Sequence, residues 1–272
     1  MKTVLITGST DGIGKQTAIE LAKRNYRVLI HGKSKNRGNE TVEQLKHLTS
    51  NPEIFYYNAD LTDLKEVEEL ANHIKTDFTT LDVLLNNAGV FENQKEVLPN
   101  GFEKTFLVNY LAHFALTLHL LELLNKTSES KIVNVSSQAQ AGTIDFDNLN
   151  GEKYFDAYNA YALSKLENIL FTYKLANELT NTNITANCLH PGVISTKLLH
   201  NGWGSGGASL TEGSKTSVFV ATDSSINGKS GFYFVNSKEQ KSSAISYDRK
   251  IQDRLWDISL QLCQLSDPFK KS

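Results

Sequence analysis

Thr3-Val-Leu-Ile-Thr-Gly-Ser-Thr-Asp-Gly-Ile-Gly14 (TVLITGSTDGIG) joins a short apolar segment to a glycine-rich one. Thr3–Thr7 is typical of a buried strand, and Gly14–Arg24 carries apolar residues at helical spacing. Glycines at a strand-to-helix junction let the backbone approach a pyrophosphate at a helix N-terminus. Their spacing differs from the general G-x-G-x-x-G fingerprint. The place of these glycines, between a predicted strand and a predicted helix, therefore predicts a dinucleotide-binding βαβ unit. Their spacing alone would be weaker evidence for one.

The rest of the chain alternates apolar segments with longer segments of helical periodicity, which is typical of repeated βαβ units. We predict one α/β domain over residues 1–272, a Rossmann fold whose doubly wound parallel sheet has about seven strands and helices on both faces. Further strands are predicted at Arg27–His31, Glu53–Asn58, Leu81–Asn86, Lys131–Ser136, Ile184–Leu189 and Gly231–Val235. Further helices are predicted at Glu40–Leu48, from a Thr62 cap to Asp77, at Gly101–Asn125 and at Ala157–Leu179.

Composition excludes several classes of protein. Hydrophobic residues make up 40% and charged residues 21% of the 272 residues, with a net charge of -2. This balance argues against a nucleic-acid surface or a polybasic membrane anchor. Cys188 and Cys263 lack metal-ligand spacing, so no metal site is predicted and both thiols are expected to be reduced and buried. The sequence shows no signal peptide and no apolar run of ~18 residues, so we expect no membrane span and a cytoplasmic protein.

Tyr161-Ala-Leu-Ser-Lys165 contains the chain's only tyrosine that is followed by lysine at i+4. Two residues at that spacing share one face of a helix. A neighbouring ammonium group favours the phenolate, so Lys165 is expected to lower the pKa of Tyr161. The pair is then suited to exchange a proton with a carbonyl or an alcohol. Taken alone, Tyr-x-x-x-Lys would more often be a surface helix pair.

Motifs in this order resemble those of the short-chain dehydrogenases/reductases. They are Thr7–Gly14 (T-G-x-x-x-G-I-G), Asn86–Gly89 (N-N-A-G), the serine strand Val133–Ser137, Tyr161–Lys165 (Y-x-x-x-K) and Pro191–Thr196 (P-G-x-x-x-T). Three segments are similar to the retinol-dehydrogenase-like branch, namely Ile132–Ser137, Gly151–Lys153 and Leu255–Ser259. The resemblance covers nearly the whole chain and implies a cofactor half of about 1–130 and a catalytic half of about 131–272.

The resemblance also implies which residues act. Ser137, the second serine of its pair, would bind the substrate oxygen, and Tyr161 would be the general acid/base. Lys165 would lower the pKa of the phenol and bind the nicotinamide ribose, and Asn109 would hold a water that links the lysine to solvent. The implied catalytic residues are Asn109, Ser137, Tyr161 and Lys165. The implied cofactor-binding residues are Gly8, Ser9, Thr10, Gly12, Ile13, Gly14, Lys33, Ser34, Asp60, Leu61, Asn87, Ala88, Gly89, Tyr161, Lys165, Pro191, Gly192, Val193, Ile194 and Thr196.

The end of the second strand bears on the choice between NAD(H) and NADP(H). An acidic residue there binds the ribose hydroxyls, and a basic one accommodates a 2′-phosphate. Gly32 takes the acidic position and Lys33 the basic one, with a further hydroxyl donor at Ser34. We therefore expect NADP(H) rather than NAD(H), although Lys33 alone could be a solvated loop charge.

The expected function is an NADP(H)-dependent oxidoreductase acting on a carbonyl/alcohol pair, with a small and fairly hydrophobic substrate. The alternative is a non-catalytic dinucleotide-binding regulator on the same fold. A homodimer through Gly101–Asn125 and Ala157–Leu179 is a further expectation. The segment Asn201–Ser209, with several glycines and Trp203, is either a lid or a surface loop. His113 and His190 are expected to be structural rather than catalytic. Tyr158 is expected to be a core or surface aromatic, with lining of the substrate site as the alternative.

Overall fold

A computed structural model of the chain describes residues 1–270. Its single sheet has the strand order β3-β2-β1-β4-β5-β6-β7-β8, in which all neighbours are parallel except the antiparallel pair β7–β8. The strands are β1 Thr3–Ile6, β2 Arg27–Gly32, β3 Ile54–Asn58, β4 Val83–Asn86, β5 Ser130–Val135, β6 Ile184–His190, β7 Tyr233–Val235 and β8 Lys238–Gln240. This arrangement confirms the doubly wound α/β fold.

Helices connect the strands and cover both faces of the sheet. They are α1 Gly12–Ala22, α2 Lys35–Thr49, α3 Leu64–Asp77, α4 Lys104–Phe106, α5 Ala112–Asn125, α6 Ala157–Glu178, α7 Lys197–Trp203, α8 Leu210–Thr222 and α9 Arg249–Cys263. A π-helical turn, Leu107–Leu111, joins α4 to α5, so that Lys104–Asn125 is one continuous helix. Short 3₁₀ turns lie at Ser224–Ile226 and Ala244–Tyr247.

Three local features differ from the predictions for physical reasons. Helix α2 begins at Lys35 rather than at residue 40, because the Ser34 hydroxyl accepts a hydrogen bond from the Arg37 amide and caps the helix there. Asp63, not Thr62, caps α3. Strand β8 (Lys238–Gln240) was not predicted, because its three residues are polar and exposed and so lack an apolar pattern.

Alternation along the strands builds two hydrophobic cores. In β1, Leu5 points toward α3, α5 and α6, whereas Val4 and Ile6 point toward α1 and α8. All three side chains are fully buried. Burying each such side chain contributes roughly 1.5–3 kcal/mol to stability. The central strands are therefore fixed in register, and their carboxyl ends meet at one edge of the sheet.

The long helix Lys104–Asn125 is apolar enough and long enough to cross a membrane by composition alone. In this protein, 78% of its apolar window is buried against the rest of the molecule. It therefore packs as a core helix between the sheet and its neighbours. Burial in the core therefore accounts for a helix that is apolar on all faces, without placing it in a membrane.

Helix α9 packs on the outer side of α6. Its Trp256 lies edge-on to Phe114 of α5, with ring centroids 5.2 Å apart, and stacks on Phe171 of α6 at 6.2 Å. The chain thus covers part of the face through which pairing of α5 and α6 was expected. A homodimer through these helices stays a prediction.

Candidate active site

The sequence motifs converge at the carboxyl edge of the sheet. Connections after β1, β2, β4, β5 and β6 surround a cavity of about 660 Å³. Its walls combine the glycine-rich segment after β1 with Tyr161 and Lys165 of α6. This is the edge at which open parallel sheets bind ligands. The cavity therefore joins the predicted cofactor residues to the predicted catalytic pair.

The glycine loop, Thr7–Gly14, needs glycine for two different reasons. Gly8 has φ +62°, and a Cβ there would lie 2.9 Å from the Cα of Ala88. A Cβ on Gly14 would lie 2.4 Å from Asn87 Nδ2. Only glycine permits this packing of the loop against the turn after β4. The loop and the N-terminus of α1 form a cradle that fits a dinucleotide pyrophosphate.

His31 holds the glycine loop from behind, and sequence reasoning did not identify it. Its Nδ1 accepts a hydrogen bond from the Gly8 amide, and its Nε2 donates to Ala59 O. Burial lowers the pKa of His31 to about 4, which keeps the ring neutral. The predicted cofactor residue Ser9 also lies behind the loop, because its hydroxyl donates to Ile6 O and accepts from the His31 amide. Ser9 therefore shapes the loop rather than facing the cavity.

The turn after β4 is tied to the glycine loop. Asn87 Nδ2 donates to Thr7 O at 2.8 Å, and the amides of Asn87 and Ala88 donate to the Thr7 hydroxyl. A Cβ on Gly89 would lie 3.6 Å from Lys165 Nζ. The predicted residues Asn87, Ala88 and Gly89 thus line the cavity and bring the loop next to Lys165.

Tyr161 and Lys165 share one face of α6, as predicted, but their electrostatics differ from the expectation. Lys165 Nζ lies 5.3 Å from the centroid of the Tyr161 ring and donates to Val135 O at 3.2 Å. Burial raises the pKa of Tyr161 to about 12, although the neighbouring Ser137 hydroxyl lowers it. Burial also lowers the pKa of Lys165 to about 8. The net shift of the phenol pKa is upward because of burial, and the contribution of the lysine charge stays a prediction.

Ser136 and Ser137 have different surroundings. The Ser136 hydroxyl donates to Lys165 O at 2.7 Å, which anchors α6 to the end of β5. The Ser137 hydroxyl accepts from the Ala139 amide at 3.0 Å and lines a second cavity together with Tyr161. Ser137, the residue predicted to bind substrate, is therefore the serine placed beside the phenol.

Asn109 lies in the π-helical turn and is fully buried. Its side chain pairs with the backbone of Val90, accepting from the amide at 2.7 Å and donating to the carbonyl at 3.0 Å. Its backbone oxygen accepts from Asn168 Nδ2 at 2.9 Å. Protein groups therefore supply the hydrogen bonds that were predicted for this buried amide. Asn109 joins the turn after β4 to α6.

The segment after β6 separates the two cavities. Gly192 has φ +101°, which turns the chain away from the sheet, and the hydroxyl of Thr196 caps α7. Pro191 and Thr196 line both cavities. The remaining predicted residues of this segment, Gly192, Val193 and Ile194, line only the second one.

The second cavity has a volume of about 320 Å³ and is mostly apolar. The Trp203 segment, Asn201–Ser209, closes it. Trp203 lies 4.8 Å from Phe91 and 5.5 Å from Tyr161, between ring centroids. Tyr158 lies edge-on to Trp203 at 6.1 Å. Part of the predicted loop is helical, since α7 ends at Trp203, and this side chain covers the phenol.

Charges at the end of the first cavity next to β2 are mixed. Lys33 Nζ lies 3.8 Å from a carboxylate oxygen of Asp60, and Arg37 also lines the cavity. Gly32 leaves no carboxylate at the end of β2, and a Cβ there would lie 2.8 Å from Thr10. Ser34 is taken up in capping α2. The remaining predicted residues Thr10, Gly12, Ile13 and Leu61 line the cavity.

Comparison with known families decides the classification. The family model described as short chain dehydrogenase matches residues 2–203. The chain belongs to the short-chain dehydrogenase family. It is 36% identical to human retinol dehydrogenase 14, with 95% of this chain and 85% of that protein covered. It is 35% identical to mouse retinol dehydrogenase 12, covering 96% and 86% of the two chains. This short-chain dehydrogenase is thus retinol-dehydrogenase-like.

Solved structures agree on the fold. A crystal structure of an uncharacterized protein from Mycobacterium paratuberculosis has a TM-score of 0.82 and 28% identity, over 98% of this chain and 95% of that one. A short chain dehydrogenase from Shigella flexneri, complexed with NADP, has a TM-score of 0.72 and 22% identity over 87% and 97% of the two chains. The second similarity shows the fold alone.

Further side chains lie at the site, and sequence reasoning gave them no definite role. His190 Nδ1 accepts from the Gln138 amide, and His190 lines the second cavity. Phe91 and Trp203 lie against Tyr161, and Tyr158 lies edge-on to Trp203. Aromatic residues close to a family motif were the available signal, but their convergence depends on tertiary structure. Among residues 1–270, no cluster of His, Cys, Asp and Glu has metal-binding geometry. Cys188 is buried and Cys263 half-buried, both as free thiols.

Proposed function

We propose that this short-chain dehydrogenase transfers a hydride between NADP(H) and a hydrophobic carbonyl/alcohol pair. The observation that carries the proposal is the position of Tyr161. It lines both cavities, one cradled by the glycine loop and one apolar. A group bound in the second cavity would meet the phenol and the Ser137 hydroxyl together. When bound, the nicotinamide supplies the hydride, and the chain's own residues bind, orient and move the proton.

Tyr161 acts as the general acid in reduction. With the pKa of Tyr161 raised to about 12, the phenol carries its proton at neutral pH. It can therefore donate that proton to a carbonyl oxygen held by Ser137. Lys165, buried at the same place, supplies positive charge that stabilises the developing phenolate. In oxidation the same groups act in reverse.

The NADP(H) preference rests on charge at the adenosine end. Lys33 and Arg37 line the cavity, and Gly32 takes the place where an acidic residue would repel a phosphate. The start of α2 lies close by and adds the positive end of a helix. A 2′-phosphate would compete with Asp60 for Lys33.

The substrate class follows from the second cavity. Its walls are largely aliphatic and aromatic, and its volume suits one medium-sized ligand. Retinol dehydrogenases are among the similar proteins, which supports a conjugated aldehyde or alcohol. We infer that Trp203 moves to admit this substrate and closes over it. A cytoplasmic location is a separate proposal, which does not depend on the site.

Tyr161→Phe tests the chemistry, with Tyr154→Phe as the matched control. Tyr154 is exposed and lies outside both cavities. We expect turnover of aldehydes with NADPH to fall about 10²–10⁴-fold in Tyr161→Phe. NADPH affinity should stay within about threefold, because the phenol is not the main cofactor contact. Turnover close to wild type in Tyr161→Phe would favour the non-catalytic regulator.

Lys33→Glu tests the cofactor preference, with Lys35→Glu as its control on the neighbouring exposed position. The wild type should use NADPH better than NADH against a panel of aldehydes and ketones, followed at the nicotinamide absorbance. Lys33→Glu should lower the NADPH preference at least about tenfold. A wild type that prefers NADH would overturn this reading of Lys33.

A further inference from the structure

A buried chain of hydrogen bonds runs from the glycine loop to the π-helical turn through His113. The Thr7 hydroxyl lies 3.0 Å from His113 Nε2, and His113 Nδ1 lies 3.2 Å from Asn109 O. Thr7 and Asn109 are fully buried, and His113 is 1% exposed. These hydrogen bonds are therefore made between protein groups that are shielded from solvent. The chain crosses 106 residues of sequence between its first two members.

The donors and acceptors of this chain admit one arrangement. The Thr7 hydroxyl already accepts from the Asn87 amide at 2.8 Å and the Ala88 amide at 3.0 Å. Its single hydrogen must therefore go to His113 Nε2, which accepts. The ring hydrogen then lies on Nδ1 and is donated to Asn109 O. Every polar atom of the chain is satisfied only in this neutral tautomer.

The two ends of the chain belong to different parts of the site. Thr7 fixes the glycine loop against the turn after β4. Asn109 holds Val90, at the end of the same turn, and contacts Ser164 next to Lys165. His113 touches neither cavity, and it lies between the group that shapes the cofactor cradle and the group that fixes the catalytic helix.

We propose that His113 is a positioning residue that sets the glycine loop and the catalytic helix in one register, through Thr7 at one end and Asn109 at the other. The proposal rests on the proposed function, since it assigns the two ends to cofactor binding and to turnover. Burial and the charge of Lys165 lower the pKa of His113 to about 3, so the neutral ring persists at working pH. The bland alternative is a core histidine that only stabilises the fold.

Two conservative substitutions separate the two bonds. Asn places its amide nitrogen near the position of Nδ1, so His113→Asn keeps the bond to Asn109 and loses the bond to Thr7. Gln places its amide oxygen near the position of Nε2, so His113→Gln keeps the bond to Thr7 and loses the bond to Asn109. His113→Leu loses both. His119→Asn and His119→Gln, on the half-buried histidine of the same helix, are the controls.

NADPH affinity, measured by quenching of protein fluorescence, and the rate of aldehyde reduction are then compared with the melting temperature. We expect His113→Asn to weaken NADPH binding about tenfold while kcat changes less than about threefold. His113→Gln should lower kcat about tenfold while NADPH affinity changes less than about threefold. His113→Leu should lower both NADPH affinity and kcat. In the wild type, ring nitrogen NMR should show the hydrogen on Nδ1.

The proposal would be overturned if NADPH affinity and kcat fell together in both the Asn and the Gln variants, in proportion to the drop in melting temperature. His113 would then be a structural residue only. A ring hydrogen on Nε2 would overturn it as well. These results differ from failure of the proposed function, which would appear as a wild type that neither binds NADPH nor reduces any aldehyde.

Discussion

The glycine loop (Thr7–Gly14) and the Trp203 segment (Asn201–Ser209) are similar in composition and opposite in construction. In the glycine loop, a Cβ on Gly8 or Gly14 would strike backbone or the Asn87 amide. In the Trp203 segment, Gly204 and Gly206 have positive φ values and a Cβ on either would meet nothing within 4 Å, although a Cβ on Gly207 would lie 2.6 Å from Ser195 N. The tip of the Trp203 segment therefore uses glycine for backbone freedom, whereas Gly8 and Gly14 are required for close packing.

Hydrogen bonding follows the same division. The glycine loop is bonded to His31, to the turn after β4 and, through Thr7, to His113. The Trp203 segment is held by Ala208, which exchanges backbone bonds with Val193 and Ser195, and by aromatic contacts of Trp203. Under the proposed function every reaction uses the same dinucleotide, whereas the carbonyl substrate can vary. A rigid cradle beside a more weakly held cover suits that difference.

Gly14→Ala would break the comparison most severely. Its Cβ would lie 2.4 Å from Asn87 Nδ2 and 2.5 Å from Gly8 O, so the loop must shift. We expect NADPH affinity to fall about 100-fold and the melting temperature to drop. Gly142→Ala, at a position with ordinary φ and no atom within 4 Å of the new Cβ, is the control. Unchanged affinity in Gly14→Ala would show that the loop adapts like the Trp203 segment.

Low pH should lower the free energy of unfolding through two buried histidines, one behind the glycine loop and one beside the second cavity. Burial lowers the pKa of His31, behind the glycine loop, to about 4, and that of His190, beside the second cavity, to about 4. The unfolded chain binds protons to these rings from pH ~6.5 downward, while the folded one does not until pH ~4. Stability is therefore complete above that range and is lost as the pH falls through it.

Urea unfolding at pH 7.5 and pH 5 measures this loss, which we expect to be about 2 kcal/mol for each buried histidine. His31→Gln should reduce the pH dependence and also weaken NADPH binding, since the Gly8 amide loses its acceptor. His190→Gln should reduce the pH dependence without affecting NADPH. Equal unfolding free energies at the two pH values would contradict the neutral state of both rings.

Trp203→Ala should have the smallest effect and the most selective one. Removing the ring uncovers Tyr161 and Phe91, and each aromatic contact contributes about 0.5–1.5 kcal/mol. We expect KM for a hydrophobic aldehyde to rise about tenfold while NADPH affinity stays the same. Trp203→Phe should raise this KM by less than Trp203→Ala does. Tyr154→Ala, on an exposed ring outside both cavities, should leave it unchanged. A larger change for NADPH than for the aldehyde would sink the distinction between the two regions.

Local patterns predicted much of this fold, because strands and helices here are marked by apolar periodicity and by glycine. The parallel sheet, the glycine loop and the Tyr161–Lys165 pair depend on residues that are close in sequence. The position of Ser137 beside Tyr161 followed from the family motif. Where the prediction concerned charge, it left out burial: the loss of hydration that raises the pKa of Tyr161 is a property of the assembled core.

The residues that sequence reasoning missed act across long separations. His31 was treated only as the end of a strand, although its ring shapes the loop of the preceding connection. Phe91 was missed altogether, and Trp203 was predicted only as part of a lid or a surface loop; the two rings meet next to Tyr161. Ser9 was taken for a cofactor contact because its motif position is common, whereas its hydroxyl is turned toward Ile6. Nothing in single-sequence periodicity encodes these directions.

The π-helical turn at Leu107–Leu111 holds about one residue more than a turn of α-helix. Removing one residue here would let the turn tighten to α-helical geometry, and the helix beyond it would keep its rotation, with His113 still facing Thr7. In the regular part of α5 each residue advances the rotation about 100°, so a deletion there would turn everything beyond it by that angle. Deletion scanning would therefore detect a property that substitution scanning cannot, namely that the turn alone can lose a residue without changing the rotational phase between the two halves of the helix.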